Sequence, residues 1–172
     1  LLSSACATHK LQYEEGLTDI NDHQQPTHSF YIVGGYGNQN EKNVFKVENL
    51  LKERLRAADE NSTLVFVGDN ISDRNNAWEK DRSLIDSQSQ LAEDFKGDII
   101  FLPGNNEWKS KHIDSIQKVE EYLNGVKSQD DYVLPKNGCP LEFKVINDSL
   151  NVLLVDSSWF LSNWSQIKGI NK

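Results

Sequence analysis

Leu64-Val65-Phe66-Val67-Gly68-Asp69-Asn70 is the stretch on which the fold turns. Four consecutive apolar residues, with branched and aromatic side chains among them, suit a strand buried on both faces. The Gly that follows ends the run in a sharp turn, and short oxygen-bearing side chains come directly after it.

The same arrangement recurs on either side. Upstream, Phe30, Tyr31, Ile32 and Val33 form a second apolar run closed by Gly34-Gly35. Val44, Val47, Leu51, Leu55 and Ala58 then recur at helical spacing. Downstream, Leu84, Leu91 and Phe95 mark a second helix, and Ile99 to Leu102 a third strand. Pro103-Gly104-Asn105-Asn106 reads as a turn, and Ile113, Ile116, Val119 and Leu123 as one face of a third helix. Strand, loop and helix in threefold succession predict an α/β fold with parallel strands and crossover helices. Beyond it, two apolar runs from Leu141 to Ile146 and from Leu150 to Val155 flank Asn147-Asp148-Ser149. They predict a β-hairpin that makes the sheet mixed.

The 172 residues, 37% of them hydrophobic, suffice for one globular domain or most of one. A net charge of −8 argues against a nucleic-acid partner, since phosphate binding draws on clustered Lys and Arg. The basic residues from Lys52 to Arg56 are interrupted by Glu53 and read as a solvated helix face. With no Met in the chain, Leu1 is not read as a translation start. Leu1-Leu2-Ser3-Ser4-Ala5-Cys6 runs from apolar to small residues to Cys and resembles the end of a lipoprotein signal, with Cys6 as the lipidated residue. Residues 1–6 are thus expected to be a signal remnant and anchor, 7–27 a polar tether and 28–172 the folded domain. No run approaches the roughly 18 apolar residues of a membrane span, so attachment would be through lipid alone. Cys6 and Cys139, the two cysteines, make no disulfide framework.

Ligands of open α/β sheets gather beyond the carboxyl ends of the strands. The loops there begin Gly34-Gly35-Tyr36-Gly37-Asn38, Gly68-Asp69-Asn70-Ile71-Ser72 and Gly104-Asn105-Asn106-Glu107-Trp108. Each starts with Gly and carries oxygen donors able to reach a common point.

These blocks, with Gly138-Cys139-Pro140 and Asp156-Ser157-Ser158-Trp159, resemble those of the calcineurin-like metallophosphoesterases, in particular the purple-acid-phosphatase-like branch and the lipoprotein metallophosphatases of Bacteroidetes. The likeness is collinear from about Ser29 to Trp159. It implies a metallophosphoesterase-type sandwich of mixed sheets flanked by helices, of which this chain would hold the N-terminal half. It also implies a binuclear metal centre that activates water and polarises phosphoryl oxygens. By the resemblance, Asp69 takes the bridging-carboxylate position and Asn105 the amide ligand of the second metal. Gly35, however, stands where the family has its first-metal Asp, and Ser72 where it has a Tyr. Asn106 replaces the His that donates a proton, and an amide is no general acid near neutral pH. Glu107 is an accepted variant.

The remaining ligands of the family are histidines in blocks beyond Lys172, and His9, His23, His28 and His112 all fall outside the loop positions. The expected cofactor is therefore none, or one divalent Fe, Mn or Zn at Asp69 and Asn105. Gly34-Gly35-Tyr36-Gly37 lacks the Lys-Ser/Thr of a nucleotide-binding loop. Asp73 with Asn75 and Asn76 reads as loop capping, and Trp78, Trp108, Trp159 and Trp164 as packing residues.

The implied function is a catalytically impaired phosphoesterase-like module, lipid-anchored at the periplasmic or outer face of a bacterial outer membrane. By the same resemblance its partner would be a β-barrel or barrel-assembly protein. The alternative is an active metal-dependent phosphoesterase acting on phosphate mono- or diesters.

Overall fold

The central strand is β2 (Ser62–Val67), which pairs in parallel with β1 (Ser29–Val33) on one side and β3 (Asp98–Leu102) on the other. This computed structural model describes residues 26–38, 41–72, 78–109, 114–126 and 131–165. Cys6, His9, His23, Asp73, Asn75, Asn76, His112 and Ile113 lie outside the described residues.

The apolar run of β2 is continuous because both of its faces are covered. Leu64 and Phe66 join a core with Leu55, Ile85, Leu91, Phe101, Ile116, Val119 and Leu123. These come from β3 and from the ends or faces of α1 (Glu41–Ala57), α2 (Trp78–Leu91) and α4 (Asp114–Val126). Phe66 and Phe101 stack at the centre with ring centroids 4.6 Å apart. Val65 points the other way and packs with Ile100, Leu134 and Leu154. The two-residue period of a strand thus divides one sequence run between two cores.

The predicted hairpin forms as β4 (Leu141–Asn147) and β5 (Leu150–Val155), paired antiparallel. It does not make the sheet mixed. It is a two-stranded sheet of its own beside the three-stranded parallel one, because Leu154 packs on the sheet face formed by Val65 and Ile100 instead of bonding to an edge. The opposite face of the hairpin, with Leu141, Phe143, Val145, Leu153 and Val155, is exposed, as are Phe30 and Ile32 of β1. A parallel bridge from Phe101 to Val133 runs beside β3.

Three local readings are corrected. In α1 the core takes Leu55, whereas Val47 is exposed, although it shares the helical spacing. The contact near it is polar, with Tyr36 Oη donating to Glu48 at 2.6 Å. α2 ends at Leu91 and Phe95 lies past it; Ile85 and Gln88 are the residues that this helix buries with Leu91. The supposed turn at Asn105-Asn106 opens a short helix, α3 (Asn105–Trp108), capped at Gly104. Glu107 makes this possible by bonding back to the Gly104 N–H at 2.7 Å, the second half of a capping box. The chain described ends with α5 (Ser157–Leu161) and the residues just after it.

Candidate functional site

β1, β2 and β3 run parallel, so their carboxyl ends deliver all three Gly-led loops to one edge of the sheet. There the loops meet at Asp69. Its backbone oxygen accepts from the Gly37 N–H of the first loop at 2.6 Å. Its side-chain Oδ1 accepts from the Asn106 N–H of the third at 2.9 Å. Asp69 adopts a φ of 52°, a left-handed conformation that Asp tolerates better than most residues. The carboxylate expected to bridge two metals is therefore the point at which the loops join.

Glu107 makes the second tie. Its Oε1 accepts from the N–H groups of Asn70 at 2.8 Å and Ile71 at 3.1 Å, and its Oε2 from Gly104. Burial pushes this carboxyl above the ordinary glutamate range, against the pull of those same N–H donors. From the sequence, Glu107 reads only as an accepted variant. The signal that could have revealed its role is its place three residues after a helix-capping Gly.

Asn106, which by the resemblance stands at the position of the family His, is buried. It is 5% exposed, and its Nδ2 donates to the Ile71 carbonyl at 2.9 Å, so its amide serves to brace the second loop. Gly35 has a φ of +67°, and a Cβ built there would meet no atom within 4 Å. Asn105 is exposed at the first position of α3, next to the N–H that binds Asp69. Ser72 donates its N–H toward Asp81 at 3.4 Å. His28 lies at the other end of the sheet, 2.9 Å from Thr63 Oγ1. No group of three or more His, Cys, Asp or Glu side chains placed for a metal ion occurs among the described residues. Asp69 and Asn105 would offer two oxygen donors, too few for a binuclear centre, and the described residues do not fit one.

Three of the four tryptophans, Trp108, Trp159 and Trp164, cluster beside the third loop, while Trp78 packs against Tyr122. Trp164 lies 5.7 Å from Trp108 at 78° and 4.1 Å from Trp159 at 44°, so the rings interlock. Asp156, fully buried, holds this cluster: it accepts from Trp108 Nε1 at 2.6 Å and from the Trp159 N–H at 3.0 Å. As the N-cap of α5 it carries a sequence signal, Asp before Ser-Ser. Burial pushes its carboxyl above the ordinary aspartate range, with the Trp108, Trp159 and Ser158 donors opposing. A raised acid favours its neutral form in the folded state. Its contribution is complete below the unfolded value and is lost as pH rises through the folded one. The midpoint of wild type minus that of Asp156→Asn should accordingly be most positive in acid and fall toward neutral pH. A signed difference that rises on that path would contradict the assignment.

What fold and site together define is an α/β chain with a parallel sheet whose loops converge on one carboxylate. No protein-family model, curated protein or solved structure matches the chain. No helix among the described residues is long and apolar enough to cross a membrane.

Proposed function

We propose that this chain is a metallophosphoesterase-like scaffold with a dismantled metal centre, serving as a binding or assembly module. The observation that carries the reading is the meeting of three strand-end loops at Asp69, flanked by residues that differ from the family's catalytic groups. On one side Gly35 offers no ligand atom; on the other the Asn106 amide is spent on a backbone carbonyl. Asp69 and Asn105 would hold at most one divalent Fe, Mn or Zn. Lipidation at Cys6 would place the module at the bacterial outer membrane, and a β-barrel or barrel-assembly protein is the partner that the sequence resemblance suggests.

The deciding experiment measures bound Mn, Fe and Zn in the full-length protein, together with turnover of an aryl phosphate monoester and diester. Absence of both metal and turnover is the expected result. Stoichiometric metal, with turnover abolished in Asp69→Ala, would replace this reading with that of a one-metal phosphoesterase.

Restoring the missing ligand gives a complementary prediction. The space at Gly35 admits a side chain, and the left-handed backbone costs Asp about 1 kcal/mol. Gly35→Asp should therefore fold and gain affinity for Mn²⁺. At 100 times the dissociation constant, binding adds about 2.7 kcal/mol, or roughly 5–10 °C in thermal midpoint for a chain of this size. A Gly35→Asp variant whose midpoint ignores Mn²⁺ would count against Asp69 and Asn105 lying at a lapsed metal site.

A further inference from the structure

One unexplained polar atom belongs to the residue that follows Asp69. Asn70 is 2% exposed, and its Nδ2 donates to the Leu102 carbonyl at 2.8 Å. That bond fixes which end of the amide is oxygen, because a flipped side chain would set two oxygens against each other. Asn70 Oδ1, facing away from Leu102, meets no protein donor among the described residues. A buried acceptor without a donor is rare in native proteins and calls for a partner.

Asn70 also lines a cavity of about 10 Å³, measured as the space open to the centre of a water molecule. Asn70 and Glu107 form its polar side; Phe101, Leu102, Ile116 and Val119 are among its apolar walls. This is close to the smallest space that admits one water.

The geometry points to a single structural water bound between Asn70 and Glu107. A water has two hydrogens to give, and the site presents two kinds of acceptor. Asn70 Oδ1 takes one, and the Glu107 carboxylate, with lone-pair capacity beyond its backbone bonds, takes the other. A hard cation would need about six oxygen ligands, which this largely apolar wall does not supply. An organic molecule exceeds the volume.

The water would join the residue after Asp69 to the carboxylate that binds the third loop. It forms a third link between the loops, alongside the Asn106 and Glu107 bonds. It is thus a positioning element for Asp69, whatever that residue does.

An atomic-resolution crystal structure and deuteron relaxation dispersion in solution test this together. One ordered water within hydrogen-bond distance of both Asn70 Oδ1 and Glu107 is expected, and it should be among the long-lived waters in solution. Val119→Ile places a methyl group in the cavity and should reduce the count of long-lived waters by one; Val133→Ile, on another wall, serves if the first does not fold. A wild-type site without water density, a site that takes up xenon in place of water, or density ringed by oxygens at cation distances would each overturn the proposal. So would an unchanged count in a filled variant.

Discussion

Glu107→Ala is expected to cost about 3–5 kcal/mol of folding stability, lowering the thermal midpoint by roughly 10 °C or more. Truncation strands the N–H groups of Asn70, Ile71 and Gly104, all of which now bond to this one carboxylate. An unsatisfied buried donor costs about 1–3 kcal/mol, and the sum is reduced by whatever water enters the space left behind. Glu107→Gln separates charge from bonding. It keeps an oxygen for Asn70 and Ile71 but turns an amide N–H toward the Gly104 N–H, so its loss should fall between wild type and alanine. Urea unfolding at neutral pH measures the series. An alanine variant within 1 kcal/mol of wild type would mean that Glu107 does not tie the loops together.

Gly104→Ala should be nearly as damaging, for a different reason. Gly104 has a φ of −125°, which any residue adopts, so no conformational penalty is involved. A Cβ there would lie 2.3 Å from Asp69 N and 2.7 Å from Gly68 Cα. Both are backbone atoms, which no side-chain rotation can clear, so the second and third loops must separate. Overpacking of this kind costs about 3 kcal/mol. The Asn106 N–H bond to Asp69 spans that junction, and its amide hydrogen should exchange with solvent faster in the variant. Retained protection at Asn106 with an unchanged midpoint would show that the loops can part at no cost. At Gly35 the balance is reversed: the backbone favours glycine and the space does not require it.

The parts of this fold legible in the sequence are those in which burial is periodic. β2 and β3 showed as unbroken apolar runs because both faces of each are covered. α4 was legible from Ile116, Val119 and Leu123, which share one face and are all buried. Val47 had the correct spacing and is exposed, since spacing says which residues share a face and not how far the covering core extends. Two antiparallel strands were legible as a hairpin, yet nothing in their pattern says whether they extend a sheet or lie across one. At the site, Asp69 was legible as the centre of a Gly-led loop. Glu107, Asn70 and Gln88 were not, because a buried polar residue is defined by partners distant in sequence. Gln88 Nε2 donates to the Asn70 carbonyl 18 positions away, from a helix whose sequence signal is its apolar residues.

The hairpin has a bearing on how the chain finds its fold. Along β5 both faces are apolar, with Leu150, Val152 and Leu154 on one and Leu153 and Val155 on the other. Where polar and apolar residues alternate, slipping by one position puts grease in water and is rejected; here a slipped β5 would present β4 with an equally greasy edge. Selection among pairings therefore falls to local geometry. The Asn147 side chain, accepting the Ser149 N–H at 3.0 Å, shapes the turn, and the Asp156 N–H, held by the Pro140 carbonyl at 3.0 Å, locks the open end. Two clasps, one at each end of the ribbon, do the proofreading that side-chain polarity leaves undone.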